Sequence, residues 1–307
     1  MQKPIKQIRL DSGMTVAQLI EEMRGAAFGA GRLAEAVDIY EAMLCDDGTK
    51  FLGFAGAMVP AGMRQIVVDL IKERQIDVLV TTGANIVHDL IEAFGGRHYK
   101  GVEQVDDLEL RRRHINRIFD VFLPERHFTV FEDRLLDIFA DIDRDGMSIR
   151  ELLTEIGLRV DDPNSITGVA AEKNVPIFCP AIADSAIGLQ AWLYTQTKRL
   201  DVDTFKDMRE FMDICYSAKK TGAMFVGGGV PKNFILQSMI VTPRGGFDYA
   251  IQLTMDRAEM GGLSGATLDE AKSWGKIGEY ARAVTVYADA TIALPIIIAA
   301  VKERLNR

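Results

Sequence analysis

Apolar positions along the chain follow two periods. Runs rich in β-branched residues, Phe51 to Met58, Asp77 to Thr82, Val175 to Ala181, Ala223 to Val226, Tyr249 to Thr254 and Val284 to Ala288, predict strands. Most are apolar at consecutive positions, as in Asp77-Val78-Leu79-Val80, which suits parallel strands covered on both faces. Between them the apolar residues recur at helical spacing; Met63 to Arg74 places Ile66, Val67, Leu70 and Ile71 on one helical face. Strand and helix alternate, so the pattern predicts an α/β fold: a doubly wound, mostly parallel, Rossmann-like sheet with helices on both faces.

The stretch from Gly101 to Gly157 departs from this pattern. It is more charged and shows no clear strand, so it reads as a helical excursion at about 101–157 from one principal domain spanning 1–307. Within it, Asp141-Ile142-Asp143-Arg144-Asp145-Gly146 imitates the start of a calcium loop, but position twelve is Leu152 where a bidentate Glu is needed. An acidic turn leading into a helix over Glu151 to Ile156 accounts for these residues, and no metal site is expected.

Composition narrows the possibilities. With 307 residues and 48% hydrophobic residues the chain can bury a large core. A net charge of −8, with no basic block longer than Arg111 to Arg113, argues against a nucleic-acid partner. Cys45, Cys179 and Cys215 lie far apart without a CxxC pair, which argues against a disulfide framework and a zinc site. The opening Met1-Gln2-Lys3-Pro4 lacks the apolar core of a signal peptide, and the longest apolar stretch, Thr291 to Val301, is shorter than the about 20 residues that span a bilayer. These features lead us to expect a cytoplasmic protein without a membrane partner.

Open α/β sheets present ligands at strand ends, where helix N-termini offer free amide groups. Four ends stand out: Thr81-Thr82-Gly83-Ala84-Asn85, Pro180-Ala181-Ile182-Ala183-Asp184, Gly227-Gly228-Gly229 and Tyr287-Ala288-Asp289-Ala290. The three glycines allow close approach to another group or a tight turn, and spacing alone does not separate the two. Asp184 and Asp289 suit either ribose hydroxyls or helix caps. By contrast, Gly29-Ala30-Gly31-Arg32-Leu33-Ala34 matches a loose dinucleotide fingerprint but follows the helical run Val16 to Met23 instead of a strand, so it is set aside.

The most unusual segment runs from Gly261 to Lys276, a glycine-rich loop leading into a short helix that carries Glu270, Trp274 and Lys276 within seven residues. A deprotonated lysine attacks carbonyls and imines, an indole face holds an ammonium group, and a carboxylate anchors it. The same residues admit structural roles, since Thr267 with Glu270 fits a capping box and Trp274 fits a core position.

The run Asp269-Glu270-Ala271-Lys272-Ser273-Trp274-Gly275-Lys276-Ile277 closely resembles the D-E-A-x-S-W-G-K-I signature of deoxyhypusine synthases. Gly227-Gly228-Gly229-Val230-Pro231-Lys232, Val286-Tyr287-Ala288-Asp289-Ala290, Asp77-Val78-Leu79-Val80-Thr81-Thr82, Ile115-Asn116-Arg117-Ile118 and Phe131-Glu132-Asp133 are similar to that family's pattern too, and the likeness spans roughly residues 12 to 300. The resemblance implies an NAD-dependent transferase of aminobutyl groups with Lys276 as the imine-forming nucleophile, partly desolvated so that its amine is free at neutral pH. It further implies NAD held by Thr82, Gly83, Ala84, Asp184, Gly227, Gly228, Gly229, Asp289 and Ala290, and a homotetramer.

Departures from the family pattern fall at the substrate end. Two acidic positions that bind the polyamine are occupied by Leu189 and Leu263, a histidine by Asn233 and a glutamate by His88, while Glu270 and Trp274 remain. Burying an ammonium group without a partner costs several kcal/mol, so these exchanges speak against the usual spermidine pose. The sequence therefore favours an aminoalkyl transferase acting on a small polyamine or related amine, similar to homospermidine synthases. Modification of a lysine of translation initiation factor 5A with spermidine as donor stands second, and an NAD-binding protein without transferase activity third. His88 is a candidate acid or base, or a neutral hydrogen-bonding group.

Overall fold

Each of the six apolar runs forms a strand in the computed structural model, which describes residues 4–305. The observed strands are Thr49–Phe54, Val78–Thr81, Ile177–Phe178, Thr221–Val226, Phe247–Thr254 and Ile277–Tyr287. The chain divides into two compact units, one of residues 4–54 and 211–305, the other of residues 55–210.

In the first unit four strands run parallel. Thr221–Val226 pairs with Thr49–Phe54 on one side and Phe247–Thr254 on the other, and Phe247–Thr254 pairs in turn with Ile277–Tyr287. All six positions of Thr221–Val226 are buried, as a strand covered on both faces requires. Helices Phe28–Cys45 and Ala290–Leu305 pack on Phe247–Thr254, and Gly229–Ser238 packs on Thr49–Phe54. The rejected fingerprint around Gly29 lies inside the helix Phe28–Cys45. The strand Ile277–Tyr287 begins seven residues before its apolar run. Its early positions alternate between exposed and half-buried, and its register slips between the Phe247–Ile277 and Tyr249–Arg282 pairs, so Gly278 to Ala281 bulge outward and hide the strand's start.

In the second unit Val78–Thr81 pairs in parallel with Ile177–Phe178. The helix Arg64–Lys72 buries Val67, Val68, Leu70 and Ile71, so the predicted face is rotated slightly toward Val68 and leaves Ile66 half-buried. Asp89, fully buried on helix Gly83–Ala93, accepts bonds from the Ser165 and Thr167 hydroxyls and the Ile166 and Thr167 amides, and pairs with Arg64 at 2.7 Å. One carboxylate thereby satisfies the first two amide groups of helix Ile166–Lys173, and the Ser165 hydroxyl accepts from the third, Gly168.

The 101–157 segment is not purely helical, contrary to expectation. Besides helices Asp107–Arg112, Arg126–Asp141 and Ile149–Gly157 it holds an antiparallel hairpin of Ile115–Ile118 with Val121–Pro124, flanked by Tyr99–Lys100. The hairpin escapes notice because its two-residue turn is Phe119-Asp120, with Phe119 at a φ of 53° where glycine or asparagine usually signals such a turn. The helix Ile149–Gly157 that follows the acidic turn is opened by a reciprocal capping box of Ser148 and Glu151. No helix among the described residues is long and apolar enough to cross a membrane.

Candidate active site

Lys276 is placed by a helix ending. In the six-residue helix Leu268–Ser273, capped by Thr267, Gly275 takes a φ of 67°, its amide reaches Lys272 O at 3.0 Å, and the Lys276 amide reaches Ala271 O at 3.0 Å. This is the hydrogen-bond pattern of a Schellman ending, for which glycine is favoured at the left-handed position. The chain then enters the strand through the bond from the Phe247 amide to Lys276 O. The Trp-Gly-Lys order thus has a local cause: helix end, reversal, strand start.

Lys276 lines a cavity of about 160 Å³ together with Asn233, Leu263, Glu270 and Trp274. Its Nζ donates to Asn233 Oδ1 at 3.3 Å and lies 5.6 Å from the Trp274 ring centre. Trp274 is 64% exposed, which rules out a core role. Thr267 accepts from the Glu270 amide, but the Glu270 carboxylate does not return a bond to the Thr267 amide, so the capping box is only half made and the carboxylate remains available to the cavity. Leu263, 47% exposed, forms an apolar part of the wall.

Two buried residues that sequence reasoning overlooked organise this cavity. Lys232 is only 3% exposed, and its Nζ donates to Gln252 Oε1 at 2.9 Å, to Leu263 O at 3.2 Å and to Ala266 O. Burial pushes its pKa down to about 8, with a smaller lowering from Lys276 and an opposing influence from Glu270. Gln252 Nε2 donates to Ser264 O at 2.9 Å and Gly227 O at 3.1 Å. Together they tie the glycine-rich loop to the glycine turn. The available signals were an amide inside an otherwise apolar strand and a lysine beside Phe234, Ile235 and Leu236.

The glycine turn connects the Thr221–Val226 strand to helix Gly229–Ser238. Gly227 and Gly229 have φ of 76° and 57°, and a Cβ on Gly228 would lie 2.3 Å from Ser264 Cα. Asp289 opens helix Ala290–Leu305, and its Oδ1 accepts from the Thr291 amide and hydroxyl at 2.7 and 2.8 Å. Capping is thus one use of Asp289, and Oδ2 is left over.

The other predicted residues belong to the second unit. Thr82 caps helix Gly83–Ala93, and a Cβ on Gly83 would lie 2.4 Å from Ser185 Cβ, so Thr82, Gly83 and Ala84 sit close to the loop carrying Asp184. Asp184 is exposed and does not cap the next helix, Ala186–Thr195; Ser185 does. Leu189 on that helix is 53% exposed. His88 is half-buried, and its Nδ1 lies 2.9 Å from His98 Nε2. Burial and the neighbouring His98 push the His88 pKa down to about 4, so its imidazole is neutral at pH 7.

The deoxyhypusine synthase family model matches residues 18–301. The chain is 60% identical to "Probable deoxyhypusine synthase 1" of Methanosarcina mazei over 99% of this chain and 96% of that protein. It is 46% identical to "Probable deoxyhypusine synthase 1" of Archaeoglobus fulgidus over 96% of both. A crystal structure from Entamoeba histolytica, assigned provisionally as a deoxyhypusine synthase, shares the fold with a TM-score of 0.67 at 21% identity, covering 96% of each chain. Family model, close relatives and fold agree: the chain belongs to the deoxyhypusine synthase family and is an enzyme of its transferase class.

Proposed function

We propose that the chain is a deoxyhypusine synthase, transferring an aminobutyl group from spermidine to a lysine of translation initiation factor 5A. The observation that carries this reading is the convergence of Lys276, Glu270, Trp274 and Asn233 on one cavity. It is supported by the names and near full-length similarity of the relatives. The preference for a small-amine acceptor drawn from the substrate-end exchanges gives way on this point.

The glycine turn fits a dinucleotide. Its positive φ angles expose backbone amides at a strand end, and the space over Gly228 is already filled by Ser264, so any side chain there would displace the loop. Within the first unit Gly227, Gly228, Gly229, Asp289 and Ala290 would hold NAD; within the second, Thr82, Gly83, Ala84 and Asp184 carry the same expectation. When bound, NAD supplies the oxidation of a secondary amine and the later return of the hydride. The chain's own residues do the rest. Trp274 offers its ring face and Glu270 its carboxylate to an ammonium group. Asn233 accepts one hydrogen from Lys276 Nζ and leaves the nitrogen lone pair free to attack the oxidised carbon, forming an imine on Lys276 as diaminopropane leaves. The acceptor lysine then displaces Lys276 from that carbon. His88, neutral at pH 7, is proposed as a proton acceptor.

A second reading keeps the chemistry and changes the acceptor to a small amine, as in homospermidine formation. Exposed Leu263 in the cavity wall favours it, because the resemblance leads one to expect a carboxylate there. Incubation with NAD and spermidine, with and without factor 5A and a panel of diamines and agmatine, followed by mass analysis, separates the two. An aminobutyl adduct on factor 5A is the expected product; products formed only from small amines would overturn the assignment. The homotetramer implied by the resemblance and the cytoplasmic setting expected from the composition belong to the same proposal.

A further inference from the structure

Tyr287, the last residue of strand Ile277–Tyr287, carries two guanidinium groups on its ring. Arg32 Cζ lies 5.5 Å from the ring centre and Arg257 Cζ lies 4.8 Å from it. The arginines come from separate segments of the first unit, Arg32 from the second turn of helix Phe28–Cys45 and Arg257 from the loop after strand Phe247–Thr254. Each has a fixed point. Arg32 Nη1 donates to Thr285 O at 3.1 Å, two residues before the ring. The Arg257 carbonyl accepts from the Met260 amide at 3.2 Å, and a Cβ on Gly265 would lie 2.2 Å from that oxygen, so the glycine-rich loop packs tightly on this backbone.

Both arginines are exposed, and neither guanidinium lies within 4 Å of a carboxylate among the described residues. Glu35, Asp256 and Glu259 stand within three residues of one or the other without pairing with them. Asp256 instead accepts from Ser264 Oγ, and Asp289 Oδ1 from the Thr291 amide and hydroxyl. A single arginine over an exposed ring is an ordinary surface contact. Two on the same ring, both without a counter-charge, set like charges against each other at one place.

That place is the carboxyl end of the sheet. The Gly227 amide bonds Leu253 O at 2.8 Å and Thr254 pairs with Tyr287, so the ring stands two strand spacings, about 10 Å, from the glycine turn. Asp289, with Oδ2 left over, follows two residues after the ring. We propose that Arg32 and Arg257, braced on Tyr287, bind the pyrophosphate of the dinucleotide. A guanidinium offers a planar fork of N–H donors that matches phosphate oxygens, and two of them meet the two negative charges of a pyrophosphate. Asp289 Oδ2 accepts from a ribose hydroxyl and repels a phosphate in its place, which selects NAD over its 2′-phosphorylated form. Tyr287 is a positioning residue. The inference rests on the NAD reading for the identity of the ligand.

Calorimetric titration of the full-length chain with ADP-ribose reads the site without turnover. Arg32→Gln and Arg257→Gln should each weaken binding about tenfold, and the double variant should lose most of the salt dependence seen in the wild type. Arg257→Lys, which keeps the charge and loses the fork, should fall between wild type and Arg257→Gln. A double variant that binds ADP-ribose as tightly as the wild type would overturn the proposal. NADP binding tighter than NAD would place the arginines on the 2′-phosphate and overturn the pyrophosphate assignment. Were the wild type to bind neither NAD nor ADP-ribose, the cofactor reading would fall. Inorganic pyrophosphate would then decide the arginine pair, which stands if the wild type binds it and the double variant does not, and falls otherwise.

Discussion

Lys276 Nζ donates a hydrogen bond to Asn233 Oδ1 at 3.3 Å. The acceptor is a neutral amide, projected from the first turns of helix Gly229–Ser238 and itself steadied by a 3.1 Å bond from its Nδ2 to Gln237 Oε1. A neutral acceptor favours the charged form of an amine far less than a carboxylate at that place would, since the carboxylate adds the attraction of an opposite charge. Asn233→Asp is therefore expected to move the rising limb of the pH–rate profile upward by about one unit, with a roughly tenfold loss of rate at pH 7. Measurement of kcat/KM against pH checks this; an unshifted profile would show that the bond does not govern the nucleophile.

Lys232 links the cavity to pH-dependent stability. Burial lowers its pKa to about 8 in the folded chain, against an ordinary value of 10.5 when unfolded. Between those values the unfolded chain binds the extra proton, so the folded state gains stability as pH rises. Relative to Lys232→Met, the wild type should gain about 2 kcal/mol between pH 7.5 and 9.5. Urea unfolding of both proteins at the two pH values tests it, and a constant difference would place Lys232 at its ordinary pKa.

Asp89 makes a stability prediction unconnected with catalysis. Asp89→Ala leaves two hydroxyls and the first two amides of helix Ile166–Lys173 without their acceptor, and takes one carboxylate from the half-buried Arg64 guanidinium, which keeps Asp162 and Glu92. The expected loss is about 3–5 kcal/mol, summed over those unsatisfied groups and read by denaturant unfolding. A loss under about 1 kcal/mol would mean that water replaces the carboxylate without penalty.

The two glycine patterns give opposite expectations. Gly228→Ala puts a Cβ 2.3 Å from Ser264 Cα and should weaken NAD binding about tenfold or more, because the turn or the loop must shift. At Gly29, inside a helix, a Cβ meets nothing within 4 Å, and Gly29→Ala should leave NAD affinity unchanged. Titration of NAD into both variants discriminates, and equal affinities would remove the glycine turn from the cofactor assignment.

The sequence revealed most where one physical signal was strong. The parallel strands were legible because a strand buried on both faces carries a run of consecutive apolar residues, as Ala223 to Val226 does within Thr221–Val226. The start of Ile277–Tyr287 was not, since a bulged strand with exposed Glu279 and Tyr280 has no such run. The hairpin around Phe119 was missed for lack of a turn residue. At the site, Lys276, Glu270 and Trp274 could be seen in one short segment. Lys232 and Gln252 could not, because their importance comes from burial and from partners distant in sequence, as with Lys232 and the carbonyl of Ala266.

Transfer through this site requires a covalent adduct at Lys276. Incubation with NAD and spermidine, reduction with borohydride and peptide mass analysis should give an aminobutyl addition on the peptide carrying Lys276, and Lys276→Ala should bind NAD yet trap none. An adduct that persists in Lys276→Ala, or one that maps to another residue of the wild type, would contradict it.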